Sequence, residues 1–187
     1  MSRPQAGSLR VVAGELGGRR FDAPPGRSTR PTSDRVRQAV FNALESMDAV
    51  DGARVLDAFG GSGALGIEAL SRGASHVTFT ETDRDALEIL SANLRGLGLT
   101  ERSTVMARPA LSELASQTWD LVLLDPPYAF DGWSELLGEV AANLSDDAVV
   151  VIESDHDVQL APPLIEYRVK RYGSTVIKFA VQSGATT

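Results

Sequence analysis

From residue 53 onward the sequence alternates short apolar segments with amphipathic ones, and this alternation constrains the fold more than any other feature. Strands are predicted over residues 54–59, 76–80, 103–107, 119–124 and 148–153, with helices between them at about 63–71, 84–96, 110–116 and 132–144. Strands that alternate with helices predict a parallel, doubly wound α/β sheet with both faces covered. Segments 164–171 and 174–181 follow with no room for a crossover helix, so they predict an antiparallel hairpin at one edge of the sheet.

The composition limits the chemistry that the chain can perform. It has 187 residues, 43% of them apolar, no cysteine and two histidines, which suits one domain with a sizeable core. Without cysteine there are no disulfides, thiolate nucleophiles or cysteine-ligated metal centres, and with two histidines we expect no bound metal. No segment resembles a signal peptide or a membrane span, so we expect a cytoplasmic protein.

Charge is distributed unevenly along the chain. The net charge is −7, yet residues 1–40 contain eight arginines against three carboxylates. A basic arm on an acidic body indicates an anionic partner that is met at one end, and the planar arginine fork is well matched to phosphate. Phosphate contacts are predicted for Arg10, Arg19, Arg20, Arg30, Arg35 and Arg37. The alternative is that these arginines only keep a flexible tail in solution.

The basic arm also has a structural pattern of its own. Residues 9–13 and 19–21 predict a β-hairpin, and a loop rich in proline, glycine and arginine follows at 24–31. Apolar residues then recur every three or four positions from 36 to 47, which predicts a helix. We therefore divide the chain into a basic hairpin and loop, residues 1–31, and a main domain, residues 32–187.

A glycine-rich loop joins the first core strand to its helix. Gly61, Gly63 and Gly66 match the dinucleotide-binding fingerprint, and Glu81 lies 20 residues after Gly61, where a ribose-binding acid is expected. A nicotinamide-dependent oxidoreductase is therefore one interpretation. Asp57, which comes directly before the loop, favours another, because its carboxylate would repel a pyrophosphate at the helix N-terminus and attract a cationic cofactor.

S-adenosylmethionine is such a cofactor, since it carries a sulfonium and an ammonium group. We predict that Asp57 binds the ammonium end, that Gly61 and Gly63 allow close approach of the backbone, and that Glu81 binds the ribose hydroxyls. Further cofactor contacts are predicted for Phe59, Asp83 and Arg108. For Asp83 an N-cap of the helix that begins near residue 84 is an equally good interpretation.

The segment Asp125-Pro126-Pro127-Tyr128 follows the apolar run at 121–124, so it lies where a buried strand opens into a cleft. The two prolines stiffen the turn and supply no N–H groups. The Asp125 carboxylate and the Pro126 carbonyl can therefore accept hydrogen bonds from a single NH2 group, beside the flat ring of Tyr128. This arrangement predicts group transfer to the exocyclic amine of a base, with Asp125, Pro126 and Tyr128 as the catalytic residues.

These motifs together resemble a known family. The chain looks like a class I methyltransferase with a Rossmann-like fold, and it closely resembles the bacterial 16S ribosomal RNA guanine-N2 methyltransferases of the RsmD type. The likeness spans nearly the whole chain, and the motifs that carry it are Arg10–Gly14, Arg30–Arg37, Leu56–Gly63, Glu81–Asp83 and Asp125–Tyr128.

The resemblance implies a function more specific than the residues alone support. It implies methyl transfer from S-adenosylmethionine to the N2 amine of a guanine in 16S ribosomal RNA, near the peptidyl site, within the small subunit or an assembly intermediate. It makes residues 1–31 an RNA-binding hairpin and loop, and we expect a monomer. Where the family often has an acid that reaches the adenine amine, this chain reads Ala107-Arg108-Pro109, so we expect adenine to contact backbone near Arg108 and apolar side chains such as Leu111.

Other functions remain possible on the sequence. The same turn would serve a DNA or RNA methyltransferase that acts on adenine N6 or cytosine N4. The glycine loop alone would serve an oxidoreductase, and the basic arm alone would serve a noncatalytic ribosome-assembly factor.

Overall fold

The computed structural model describes residues 7–23 and 34–184. The first range contains β1 (Gly7–Arg10) and β2 (Arg20–Ala23). The second contains α1 (Asp34–Glu45), β3 (Arg54–Asp57), α2 (Ala64–Ser71), β4 (His76–Thr80), α3 (Arg84–Leu97), β5 (Ser103–Met106), α4 (Leu111–Leu114), β6 (Trp119–Leu124), α5 (Trp133–Ala142), β7 (Leu144–Ser154), β8 (Leu164–Tyr172) and β9 (Thr175–Gln182). A 3-10 turn, Thr100–Arg102, precedes β5.

Seven strands form one sheet in the order β5-β4-β3-β6-β7-β9-β8. The first five strands in this order run parallel, and β9 pairs antiparallel with both β7 and β8. The predicted doubly wound sheet with an antiparallel edge hairpin is therefore confirmed. The predicted ends differ by a few residues, since β3 stops at Asp57 and α4 is only four residues long, whereas β7 starts at Leu144.

Alternate residues of the central strands supply two separate cores. In β6, Leu121 and Leu123 pack with α1, α2 and α3, whereas Val122 and Leu124 pack with α4 and α5. Side chains of a strand point to opposite faces in turn, and a strand between two helical layers must be apolar on both. The continuous apolar run of β6 is therefore the signature of its central place in the sheet.

The N-terminal hairpin is joined to the same core as the sheet. Val11 and Phe21 are buried in the cluster that contains α1, α2 and α3. The predicted strand 9–13 ends early, at Arg10, because the backbone N–H groups of Val12 and Ala13 donate to the buried carboxylate of Glu68 at 2.7 and 3.0 Å. The proposed domain boundary at residues 31 and 32, like the loop at 24–31, lies outside the described residues.

Candidate active site

The predicted site residues gather at one edge of the sheet, where the parallel strands β3, β4 and β6 end. Asp57 is the last residue of β3, Glu81 follows the end of β4, and Asp125 follows the end of β6. Strands β4 and β6 are the two neighbours of β3. Ligand sites of open α/β sheets lie outside these carboxyl ends, so the order of the strands brings the three carboxylates to one place.

Asp57 is buried and acts as a cap for helix α2. The helix begins after Gly63, which has no side chain to cap it, and Asp57 Oδ2 accepts from the N–H of Gly66 at 2.9 Å instead. Burial raises the pKa of Asp57 to about 7, the nearby Glu81 carboxylate adds to the rise, and backbone hydrogen bonds from Gly66 and Phe59 oppose it. A buried carboxylate with this pKa is stabilised in its charged form by any cation placed next to it.

Two glycines of the loop have different reasons for lacking a side chain. At Gly63, where φ is +89°, a Cβ would lie 2.6 Å from Leu90 and 2.9 Å from Ile67, so internal packing already requires glycine. At Gly61, where φ is +53°, a Cβ would have one neighbour within 4 Å among the described residues beyond the adjacent ones, the Phe59 carbonyl oxygen at 3.8 Å. Gly61 thus faces open space that a ligand can enter, whereas Gly63 faces the core.

Glu81 connects the ends of two neighbouring strands. Its Oε2 accepts from the N–H of Gly61 at 2.9 Å, and its Oε1 accepts from the N–H groups of Thr82 and Asp83 at 2.7 and 2.8 Å. Oε2 has a second lone pair, so Glu81 can still accept from a ligand hydroxyl. The three backbone bonds hold the carboxylate in a fixed orientation.

A cavity of about 310 Å³ lies beside Glu81. Its walls are mostly apolar, and they are Ala58, Phe59, Thr80, Glu81, Thr82, Arg108, Pro109, Ala110, Leu111, Phe130 and Leu136. Phe59 and Phe130 meet edge to face with their centroids 5.5 Å apart. An apolar cleft with one fixed carboxylate suits a flat heterocycle that is attached to a polyol.

The Asp125–Tyr128 turn leads directly into this cavity wall. The N–H of Phe130 donates to the carbonyl of Pro127 at 2.8 Å, which closes the turn. Pro126 is buried, Asp125 is partly buried, and Tyr128 is 51% exposed, which is high for a tyrosine next to a core strand. The turn therefore presents a carboxylate and an accessible aromatic ring next to the cavity.

Comparison with known proteins identifies the family of this chain. The family model described as "Conserved hypothetical protein 95" matches residues 9–181. Ribosomal RNA small subunit methyltransferase D of Haemophilus influenzae is 35% identical over 164 residues, which cover 84% of each chain. The chain belongs to this methyltransferase family.

Solved structures agree with the family. The Escherichia coli protein yhhF, provisionally named a methyltransferase, shares 33% identity and a TM-score of 0.84, covering 96% of this chain and 100% of that one. A 16S ribosomal RNA N2 G1207 methyltransferase of Thermus thermophilus, solved with AdoMet and guanosine, has a TM-score of 0.72 at 19% identity. That likeness covers 95% of this chain and 50% of the other, and it shows the fold alone.

Two cofactor residues predicted for this methyltransferase have other partners in the structure. Asp83 caps α3, since its Oδ1 accepts from the N–H of Ala86 at 2.9 Å. Arg108 lines the cavity, but its backbone N–H donates to Met106 and its guanidinium pairs with the buried Glu113. The Arg108 N–H is therefore already occupied, and the expected backbone contact with adenine would need another group. Leu111 lines the cavity, and its contact with adenine stays a prediction.

The prediction that Arg37 contacts phosphate is wrong. Its side chain is only 1% exposed, it donates to the Arg10 carbonyl and the Asp34 carboxylate, and its Nε lies 3.5 Å from Glu68. Burial lowers the pKa of Arg37, and the two carboxylates oppose that shift. A composition count cannot distinguish a buried arginine from a surface arginine, and here the methyltransferase uses one to fix its N-terminal hairpin.

The other described arginines of the arm are exposed. Arg10 pairs with Asp34 at 2.5 Å, Arg19 donates to the carbonyls of Gly96 and Leu97 at the end of α3, and Arg20 lies 3.3 Å from the Ser8 hydroxyl. Arg35 is exposed on α1. Arg30 lies outside the described residues. Phosphate contacts by these residues stay a prediction.

Sequence reasoning missed two parts of the site. Phe130 lines the cavity and contacts the rings of Phe59 and Trp133, the latter at 5.3 Å. Its position two residues after Tyr128 was a usable signal. Glu68 connects the hairpin to the methyltransferase fold, but its partners are 55 and 56 residues away in sequence, so no local pattern indicates them.

In residues 7–23 and 34–184, no group of histidine or acidic side chains is arranged to hold a metal ion. No helix in the same ranges is long and apolar enough to cross a membrane.

Proposed function

We propose that this chain transfers a methyl group from S-adenosylmethionine to the exocyclic N2 amine of a guanine in 16S ribosomal RNA. The proposed setting is the small subunit or an assembly intermediate, near the peptidyl site, with the enzyme as a monomer. The observation that carries the proposal is the placement of a buried carboxylate, Asp57, one strand away from the Asp125–Tyr128 turn. The membership in a methyltransferase family supports it.

The residues at the strand ends fit S-adenosylmethionine. When bound, this cofactor supplies a methyl group on a positively charged sulfur. Asp57 would pair with its ammonium group, because burial makes the charged carboxylate costly until a cation neutralises it. Glu81 would accept from a ribose hydroxyl with the remaining lone pair of Oε2, and Pro109, Ala110 and Leu111 would cover the adenine ring.

The same residues fit a nucleotide coenzyme poorly. The N-terminus of α2 is where a pyrophosphate would bind in a dinucleotide enzyme. Here Asp57 already accepts from the Gly66 N–H at that helix end. A phosphate would have to displace a carboxylate, or lie beside it at a cost in electrostatic repulsion.

Asp125, Pro126 and Tyr128 would position the target base. The Asp125 carboxylate and the Pro126 carbonyl would accept from the exocyclic amine and turn its nitrogen lone pair toward the methyl carbon of the donor, so that the N–C bond forms as the C–S bond breaks and its electron pair stays on sulfur. The half-exposed Tyr128 ring would stack on the base. Enzymes that act on base atoms take the base out of its stack. Orientation of this kind can lower the barrier by roughly 7–11 kcal/mol, and Asp125 or water accepts the proton that the methylated amine releases.

The exposed arginines would bind the RNA backbone. Arg10, Arg20 and Arg35 are on the N-terminal hairpin and α1, where they can reach phosphates without reading the base sequence. Binding through such contacts falls steeply with salt.

A second candidate function rests on the chemistry of the turn. Acceptors beside a ring would serve any exocyclic amine, so adenine N6 or cytosine N4 of DNA or RNA could occupy the same position. The product of the reaction decides between these substrates.

The test is methyl transfer from radiolabelled S-adenosylmethionine to small subunits purified from a strain that lacks this protein. Digestion to nucleosides and mass spectrometry should identify N2-methylguanosine in 16S ribosomal RNA. N6-methyladenosine or N4-methylcytidine would support the second candidate, and no methylated nucleoside would refute both.

A matched pair of variants tests the residue assignment. Asp125→Ala should abolish transfer, with a cofactor Kd within about twofold of the parent value, because Asp125 contacts the base and not the cofactor. Asp147→Ala removes an exposed carboxylate near the start of β7, at the opposite edge of the sheet, and should keep full activity. Full turnover by Asp125→Ala would refute the mechanism.

A further inference from the structure

A second cavity, of about 720 Å³, lies between α5 and the chain segment that follows β7. One wall is a face of α5, formed by Trp133, Ser134, Leu137, Gly138, Ala141 and Ala142, and the other wall is the chain segment 156–163. The two walls follow β6 and β7, which are neighbouring parallel strands. One end of the cavity, at Asp131, Trp133 and His156, therefore lies at the same edge of the sheet as the proposed active site.

Aromatic rings connect the two cavities. Phe130, which lines the cofactor cavity, meets Trp133 edge to face at 5.3 Å, and Trp133 meets His156 at 6.4 Å. Trp133 and His156 both line the second cavity, and they lie five and 28 positions after Tyr128 in sequence. A nucleotide strand that places one base at Tyr128 would bring its next base to these rings.

The charge of the cavity indicates which part of a nucleotide it takes. Asp131 and Asp157 are the charged side chains of the lining, and no lysine or arginine is among the lining residues. Carboxylates disfavour phosphate and accept from the amines of a base. The indole N–H of Trp133 is buried and has no hydrogen-bond acceptor within the described ranges, so a base acceptor could also be satisfied at this wall.

Hydrogen bonds and ion pairs hold the segment 156–163, which forms one wall of the cavity, in place. Lys178, which is almost fully buried, donates to the Val158 carbonyl at 2.7 Å and pairs with Asp157 at 2.7 Å and Glu166 at 3.2 Å. The Ser154 hydroxyl donates to the His156 carbonyl at 2.5 Å. These contacts fix the segment 156–163 at a distance from α5.

We infer that this second cavity holds the nucleobase next to the target base in the RNA strand. The inference rests on the proposed function and adds a substrate contact to it. Stacking on Trp133 and His156 would hold the neighbouring base, as aromatic rings do in single-strand binding proteins. The phosphates would stay outside, toward the exposed arginines.

Gly138 offers a way to fill the cavity from within. A Cβ at this position meets nothing within 4 Å, and its helical φ tolerates any side chain. Side chains on a helix lean toward its N-terminus, so Gly138→Phe would point its ring along α5 toward Ser134 and Trp133. Gly138→Ala makes the same backbone change with little added volume and is the matched control.

The test measures methyl transfer by the full-length protein to small subunits from a strain that lacks it. Gly138→Phe should raise the KM for subunits about tenfold, the scale of one lost base stack. Its kcat should stay within about twofold, its Kd for S-adenosylmethionine should be unchanged, and Gly138→Ala should match the parent.

A second arm uses the unmodified protein and reassembled subunits with an abasic nucleotide on either side of the target. One of the two abasic sites should raise KM as much as Gly138→Phe does, and combining the two changes should add little more. Three outcomes would refute the inference but not the proposed function. They are an unchanged KM for Gly138→Phe, KM increases from the variant and the abasic site that multiply when the two are combined, and no effect of either abasic site on KM. A loss in the variant that no abasic site reproduces would point to a ribosomal protein instead and would also refute it. Absence of transfer by the unmodified protein would refute the proposed function, and the inference with it.

Discussion

The carboxylate of Asp57 accepts a hydrogen bond from the backbone N–H of Gly66 over 2.9 Å, so a strand residue caps the helix that follows it. Capping usually comes from the residue directly before a helix, but that residue is Gly63. The buried Asp57 side chain completes the helix end, and in the proposed function it also pairs with a cation. These two roles have opposite effects on stability, because a charged Asp57 that can bind a cation destabilises the folded protein when no cation is present.

This conflict predicts how stability depends on pH. The pKa of Asp57 is raised from 3.8 to about 7, so its contribution to the free energy of unfolding is fully present below about pH 4 and is lost as pH rises through 7. The loss amounts to about 4 kcal/mol in the ligand-free protein. Asp57→Asn removes the charge and should be more stable than the parent at pH 8 but not at pH 4.5.

Urea unfolding of both proteins at several pH values measures this difference. The comparison isolates Asp57, because the other titrating groups are the same in the two proteins. Equal stability of parent and Asp57→Asn at pH 8 would contradict the raised pKa.

Cofactor affinity should depend on pH in the opposite sense. The ammonium group pairs with ionised Asp57, and a group with a pKa of about 7 is about one-tenth ionised at pH 6. Raising the pH to 7.5, where most α-amino groups are still protonated, should tighten the Kd for S-adenosylmethionine about fivefold. Calorimetry in two buffers of different ionisation enthalpy should also detect proton release on binding. In Asp57→Asn both effects should vanish together with most of the affinity.

Two glycines of the loop should separate folding from binding. At Gly66 a Cβ would lie 2.3 Å from the buried Phe79 ring and 2.8 Å from Val77, so Gly66→Ala should cost about 1–3 kcal/mol of stability by overpacking. Gly61→Ala has open space around the new methyl group and should cost only about 1 kcal/mol for its positive φ. Because that methyl group enters the space proposed for the cofactor, the affinity of Gly61→Ala should fall at least tenfold. Thermal unfolding and calorimetry on both variants provide the check, and equal affinities would contradict it.

The elements of this fold that could be predicted are those specified by local pattern. The apolar run 121–124 and the amphipathic helices predicted the sheet, and the sheet placed Asp57, Glu81 and Asp125 at one edge because parallel strands share that edge. The position of these three residues at the strand ends could therefore be predicted from the sequence. The cofactor and base-binding roles of these residues stay predictions.

What could not be predicted depends on contacts between distant segments. Arg37 was predicted to contact phosphate as one of the arginines of the basic arm, yet Glu68 pairs with it from α2. The second cavity could not be predicted either. It forms where the small residues of α5 face the segment 156–163, and that segment is held by Lys178, which is 20 positions after its partner Val158 in sequence. Periodicity gives the buried face of a helix but not the partner of that face.

The Glu68 contacts predict how the N-terminal hairpin is held. This fully buried carboxylate accepts from Val12 and Ala13 and pairs with Arg72 at 2.8 Å and Arg37 at 3.5 Å. Glu68→Ala removes the buried anion of two buried guanidinium groups, which keep only the more exposed Asp34 and Glu45, and should cost about 3–5 kcal/mol.

Trypsin provides a local measurement of the same prediction. Cleavage after Arg19 and Arg20 should become much faster in Glu68→Ala, because the hairpin loses its attachment. Glu88→Ala removes one partner of an exposed pair with Arg84 and should change neither stability nor cleavage. Slow cleavage of Glu68→Ala would mean that Val11 and Phe21 hold the hairpin by themselves.

Arg35 and Arg37 are two positions apart on α1 and should respond differently to the same substitution. Arg35 is exposed and Arg37 is buried. If Arg35 contacts a phosphate, Arg35→Gln should weaken RNA binding and reduce the slope of log K against log salt by about one. Arg37→Gln should leave that slope unchanged and cost about 3 kcal/mol of stability, because Glu68 and Asp34 lose a shared partner.

Arg54→Gln, at the start of β3 and therefore at the end opposite to Asp57, is the control and should alter neither the slope nor the affinity. Filter binding of 16S ribosomal RNA at several salt concentrations, with urea unfolding of each variant, measures both quantities. An unchanged slope for Arg35→Gln would remove α1 from the proposed RNA surface.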